Sequence, residues 1–88
     1  MKAWQLLEQK GWCKGALARN EAGQAVRVEN PYAVRFCLYG ALLRCYSSME
    51  ITAMKTKVEE VINPCYIGDW NDFQQSGTPV IALLKRLD

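Results

Sequence analysis

Four cysteines and no histidine set the limits on the chemistry of this 88-residue sequence. Without histidine there is no Ser-His-Asp or Cys-His catalysis and no His-ligated metal, and the commonest general base is missing. The thiols stand at positions 13, 37, 45 and 65, without the paired C-x-x-C spacing of a zinc site. Cys37 and Cys45 fall eight residues apart on one expected helix, about 12 Å along its axis. That is too far to share an ion that each thiolate must approach to about 2.3 Å. A nucleophilic Cys13 needs a cation or a helix N-terminus to activate it; Lys14 is adjacent, but neighbouring side chains often point apart. The sequence therefore predicts packed thiols, no metal and no cofactor.

A second group could bind rather than react: Trp12 and Arg19 early in the chain, Trp70, Asn71 and Asp72 late in it. In "DWND" (69–72) two carboxylates and an amide could hold a cation. The EF-hand pattern fails, however, because its fifth and sixth positions fall on Phe73 and Gln74. A loop whose Asn and Asp side chains bond to their own backbone is the simpler reading, with an ion pair to Arg19 as a possible addition. Arg19 and Arg27, with Lys14 and Trp12, could form a small basic and aromatic patch. Eleven Lys and Arg against nine Asp and Glu leave a net charge of only +2. That charge argues against nucleic acid as a partner.

These residues must be positioned by a single domain spanning 1–88, half of it apolar. Residues 2–10 read as a short helix stopped by Gly11. "ALAR" (16–19) and "AVRV" (25–28) flank "NEAGQ", a turn with Gly23, and suggest a hairpin. "NPYAVRFCLYGALLRCY" reads as a central helix over 31–46, with Asn30 as N-cap and Pro31 in its first turn. Ser47 and Glu50 have capping-box spacing for a third helix, which Asn63-Pro64 ends. "CYIGDWNDFQQSG" is expected as a packed loop, and Thr78-Pro79 starts a last helix with Val80, Leu83, Leu84 and Leu87 inward. The expected fold is mainly α, with about four helices packed around the 31–46 helix and a short β-hairpin over about 16–28. No leader peptide or membrane span is legible, so a cytoplasmic location with reduced thiols is expected.

On the 31–46 helix, Val34, Cys37, Leu38, Ala41, Leu42 and Cys45 share one face at 100° per residue. Tyr32, Phe36, Tyr39, Leu43 and Tyr46 fall on nearly the opposite one. Either the helix is buried all round, or this second stripe is an interface, for which tyrosine is well suited. A homodimer is the simplest arrangement that would cover it.

"W-x-x-G-x-x-A-R" at 12–19, a glycine turn at Gly23, "C-x-x-G-A" at 37–41 and "WND" at 70–72 resemble a family of small bacterial and phage-encoded helical proteins of unknown function. The resemblance spans most of the chain through short motifs and implies no catalytic residue. Two functions stay open. One is a small non-enzymatic protein that acts by protein–protein interaction, with itself or another chain. The other is a ligand-binding module or minor enzyme built on Trp12, Arg19, Trp70, Asn71 and Asp72.

Overall fold

The computed structural model describes residues 1–88. Five helices and one small sheet follow in the order α1 (Ala3–Gln9), β1 (Ala18–Arg19), β2 (Ala25–Val26), β3 (Arg35–Phe36), α2 (Leu38–Cys45), α3 (Ser48–Ile62), α4 (Ile67–Phe73) and α5 (Thr78–Leu87). The fold is mainly α. Helix α2 packs on α1, α3 and α4, and α5 packs on α1 and α3. Phe36, Leu38, Leu42, Val58, Val80 and Leu84 are fully buried in the shared core. No helix is long and apolar enough to cross a membrane.

Several local signals work as expected. Ser47 accepts from the Glu50 N–H while the Glu50 carboxylate accepts from the Ser47 N–H, closing the capping box of α3. Pro79 lies in the first turn of α5, and Val80, Leu83 and Leu84 face the core. The hairpin pairs Ala18 with Val26 and Arg19 with Ala25. Its turn is held by Asn20, whose Oδ1 accepts from the Gln24 N–H at 2.9 Å, with Gly23 at φ +85.

The central helix is shorter than the 31–46 periodicity predicts. Only Leu38–Cys45 is helical, and Arg35–Phe36 is a third strand, giving an antiparallel sheet in the order β2-β1-β3. Asn30 does not cap a helix. Its Oδ1 accepts from the Tyr32 N–H at 2.8 Å, two residues on, and makes a side-chain turn instead. Three backbone donors in 34–37 then have partners outside any helix: Val34 N–H reaches Arg19 O, Phe36 N–H reaches Gly11 O, and Cys37 N–H reaches Leu17 O, all at 2.9–3.1 Å. Cys37 is the true N-cap, its Sγ accepting from the Gly40 N–H at 3.2 Å.

The 65–77 segment is not a loop throughout, since 67–73 forms α4, the fifth helix. Its inward side consists of Ile67 and Asn71. A polar residue therefore stands where the helical pattern would require an apolar one, and the periodicity is hidden.

Helix α2 approaches the backbone of Leu17, just before β1, unusually closely. A Cβ added at Gly40 would lie 1.9 Å from the Leu17 carbonyl oxygen and 2.9 Å from its carbon. Glycine is the residue that permits this contact.

Candidate functional site

Asn71 joins the two halves of the predicted binding group. Its side chain is 1% exposed and makes four hydrogen bonds. Oδ1 accepts from Trp12 Nε1 at 2.8 Å and from the Leu38 N–H at 3.0 Å. Nδ2 donates to Cys13 O at 3.2 Å and to Asp72 Oδ1 at 3.1 Å. The same Asp72 oxygen accepts from the Gly15 N–H at 3.0 Å. One amide thus pins the 12–15 loop to the N-terminus of α2 and to α4. Arg19 completes the loop by donating to Lys14 O at 3.0 Å and to Gly23 O at 2.9 Å. The anticipated Arg19–Asp72 ion pair does not form; the ion pairs are Lys2–Asp88, Arg27–Glu29 and Lys85–Glu8.

Trp12, Arg19, Asn71 and Asp72 therefore share one hydrogen-bonded clasp. Trp70 is outside it, half-buried beside Cys65, Asp69, Phe73 and Gln74. No buried side-chain nitrogen or oxygen lacks a partner. The polar atoms of Asn71 are turned to the protein's own groups, two of them backbone and two side-chain, a structural use of residues whose types also suit ligand binding.

The cysteines are dispersed. Cys13 and Cys37 are buried, Cys45 is half-buried and Cys65 is exposed. No three His, Cys, Asp or Glu side chains come together as a metal site. Burial pushes the Cys13 thiol up to about 11 from an ordinary 9.0, overcoming the opposing fields of Arg19 and Arg35. Burial also raises Cys37, against the lowering effect of the Gly40 and Tyr39 N–H groups. These thiols stay protonated near neutrality, the reverse of what a nucleophile needs. With iodoacetamide at pH 8 under native conditions, Cys65 should be alkylated first and Cys13 and Cys37 only on unfolding. Peptide mapping by mass spectrometry reads this directly, and rapid labelling of Cys13 in the folded protein would contradict it.

The same shift gives stability an alkaline limit. Above pH 9 an unfolded Cys13 loses its proton while the folded one keeps it until about 11. The native state then binds more protons, so stability falls as pH rises through this window. Tyr46 acts in the same sense from pH 10 to about 12, raised first by burial and then by its hydrogen bond to Asp88.

The five residues of the expected interface stripe do not form one. Tyr32 lies in the turn before β3 and is 76% exposed, whereas Phe36 is a core residue of β3. Tyr39 and Leu43 are half-buried on α2. The Tyr46 hydroxyl is fully used: it accepts from the Ala3 N–H at 3.0 Å and donates to the Asp88 carboxylate. A helical stripe cannot exist where half of its span is a turn and a strand.

An outward aromatic face does exist, on α4. Tyr66, Trp70 and Phe73 follow the i, i+4, i+7 spacing of one helix side. Tyr66 is 74% exposed and Phe73 83%. A groove of about 290 Å³ on one flank is lined by Leu17, Tyr39, Tyr66 and Ile67, with Lys55 and Glu59 of α3 at its border. On the other flank Cys65, Asp69, Trp70 and Phe73 line a second depression of about 530 Å³. Sequence reasoning missed this face. The available signal was the density of aromatic residues in "CYIGDWNDF", too many for a seven-residue helix to bury.

Residues 1–87 match DUF6197, a family of unknown function, and the chain belongs to that family. No curated protein and no solved structure matches it.

Proposed function

We propose that this member of the DUF6197 family works by binding protein rather than by catalysis, and that the partner at the α4 face is a second copy of the same chain. The exposed aromatic stripe of α4 carries this reading. Two large side chains left 74% and 83% in water, beside a groove with a mostly apolar lining, are what an interface buries. Charge favours self-association. Lys55 and Glu59 border the groove and neither forms an ion pair within the protomer. Lysine four residues before glutamate is the less favourable order for an intrahelical pair. Across a twofold axis with α3 antiparallel to its copy, Lys55 of each chain meets Glu59 of the other, which is the self-complementarity a C2 interface requires.

The test is solution mass by light scattering across a concentration series. The native chain should show a dimer. Tyr66→Ser combined with Phe73→Ser should give a monomer with its thermal midpoint nearly unchanged. Lys55→Glu should weaken the dimer at low salt, and adding Glu59→Lys should restore it. A monomer at every concentration removes the second-copy reading. A dimer indifferent to all four substitutions moves the interface elsewhere.

A further inference from the structure

The three-stranded sheet places two arginines opposite one another. Arg19 of β1 is the register partner of Arg35 of β3, so both side chains rise from one face with Cβ atoms about 5 Å apart. Like charges directly opposite across strands destabilise a sheet. Neither arginine has a carboxylate to offset this. Arg27, close by on the strand-β2 side, pairs with Glu29 at 2.7 Å, but Arg19 and Arg35 take part in no ion pair. Asp72, whose field also reaches this loop, uses Oδ1 to accept from the Gly15 N–H and from the Asn71 side-chain Nδ2. Lys14 adds a third cation to the loop and donates to the Gln74 carbonyl at 3.2 Å.

The two guanidinium groups are held differently. Arg19 is fixed by its bonds to Lys14 O and Gly23 O, which leaves the remainder of its five N–H donors unused. Arg35 is exposed and makes no side-chain hydrogen bond. The 11–15 loop sits against both. A Cβ at Gly11 would come within 3.3 Å of Arg35 Cγ, and one at Gly15 within 3.1 Å of Arg19 Nη2. Both glycines have positive φ, +145 and +80. Either side chain would crowd an arginine at one end of "GWCKG". The positive fields of both arginines converge on Cys13 in the middle of that loop. On the other side of Arg19 the register partner is the small, exposed Ala25.

We propose that Arg19 and Arg35 form a binding site for a phosphate dianion, free or as the terminal monoester of a small molecule. One arginine is preorganised by backbone carbonyls and the other is free to close, and two planar forks match the oxygens of a phosphate. The bound dianion cancels the repulsion that the empty sheet carries. The site stands apart from the α4 face, and the proposal is independent of self-association.

The experiment is thermal denaturation of the whole chain in sodium phosphate against sodium chloride at matched ionic strength, pH 7.5, with phenyl phosphate as a second ligand. Phosphate should raise the native midpoint saturably. Arg35→Gln should lose that rise, and in chloride its midpoint should equal or exceed that of the native chain, because a like-charge contact is gone. Arg27→Gln should keep the full response. Phenyl phosphate acting with at least the strength of phosphate identifies the monoester as the ligand, and phosphate acting alone identifies the free ion. A rise that survives Arg35→Gln is a general salt effect and overturns the proposal, as does the absence of any rise over chloride. If Arg35→Gln fails to fold, Arg35→Lys decides: it should weaken phosphate binding about tenfold through loss of the fork, and unchanged binding overturns the site.

Discussion

Asn71→Ala should lower the unfolding free energy by about 4 kcal/mol, since each buried polar group left without its partner costs roughly 1–3 kcal/mol. Three groups are stranded together: the Leu38 N–H, the Cys13 carbonyl and the Trp12 indole N–H, all of which bond to the Asn71 amide. A domain of this size has a total stability of about 5–15 kcal/mol, so the variant would be close to unfolding at ordinary temperature. Its midpoint should fall by about 20 °C, at roughly 4–8 °C per kcal/mol. Asn71→Asp separates acceptor from donor. It keeps oxygen for Trp12 and Leu38 but loses the donor to Cys13 and sets a second carboxylate beside Asp72. It should therefore also be destabilised, and less so in acid. Urea denaturation followed by circular dichroism measures both. A loss under about 1 kcal/mol for Asn71→Ala would mean that water replaces the amide and that the clasp is not a buried network.

Gly40→Ala should destabilise by about 3 kcal/mol or more, at the upper end of what overpacking costs. In an open helix the same change would stabilise by about 1 kcal/mol. The added methyl would stand 1.9 Å from a backbone oxygen, and that oxygen accepts the Cys37 N–H at 3.1 Å. Relief requires moving the strand or the helix, and either movement breaks the bond that joins them. Gly68, in α4, is the control because a Cβ there meets nothing within 4 Å. Gly68→Ala should raise the thermal midpoint while Gly40→Ala lowers it. The same sign for both would refute the close approach.

The contrast between these glycines explains what was legible in the chain. Local rules work wherever a residue's partners are near in sequence. Ser47 and Glu50 cap α3, Pro79 opens α5, and Gly23 turns the hairpin, all as their types and spacing predict. Nothing local distinguishes Gly40 from Gly68, because the difference is the Leu17 carbonyl, more than twenty residues away. Residues 31–37 mislead for the same reason. Their apolar pattern continues that of α2, yet the N–H groups of Val34, Phe36 and Cys37 find the carbonyls of Arg19, Gly11 and Leu17, far back in the chain, and tertiary pairing overrides the helical period.

The candidate residues show both outcomes. The motif positions Trp12, Arg19, Asn71 and Asp72 do converge in space, but on one another and on backbone groups. Spacing cannot reveal whether an amide will face a ligand or a carbonyl. The sequence pattern points to an apolar stripe on 31–46 because that stretch is apolar almost all round. A buried helix, however, is apolar because its neighbours cover it. Exposure belongs to α4, which keeps Asn71 inward and leaves Phe73, and Tyr66 at its N-cap, outward.

The bonds from Asn71 to Trp12 and Cys13 close segments of 59 and 58 residues. Closing so long a segment is entropically late, whereas the helices and the hairpin need only near neighbours to begin. Contacts made after the rate-limiting step influence how fast a chain comes apart, not how fast it comes together. The clasp is then a kinetic lock: loosening it should quicken unfolding while leaving the folding rate nearly untouched.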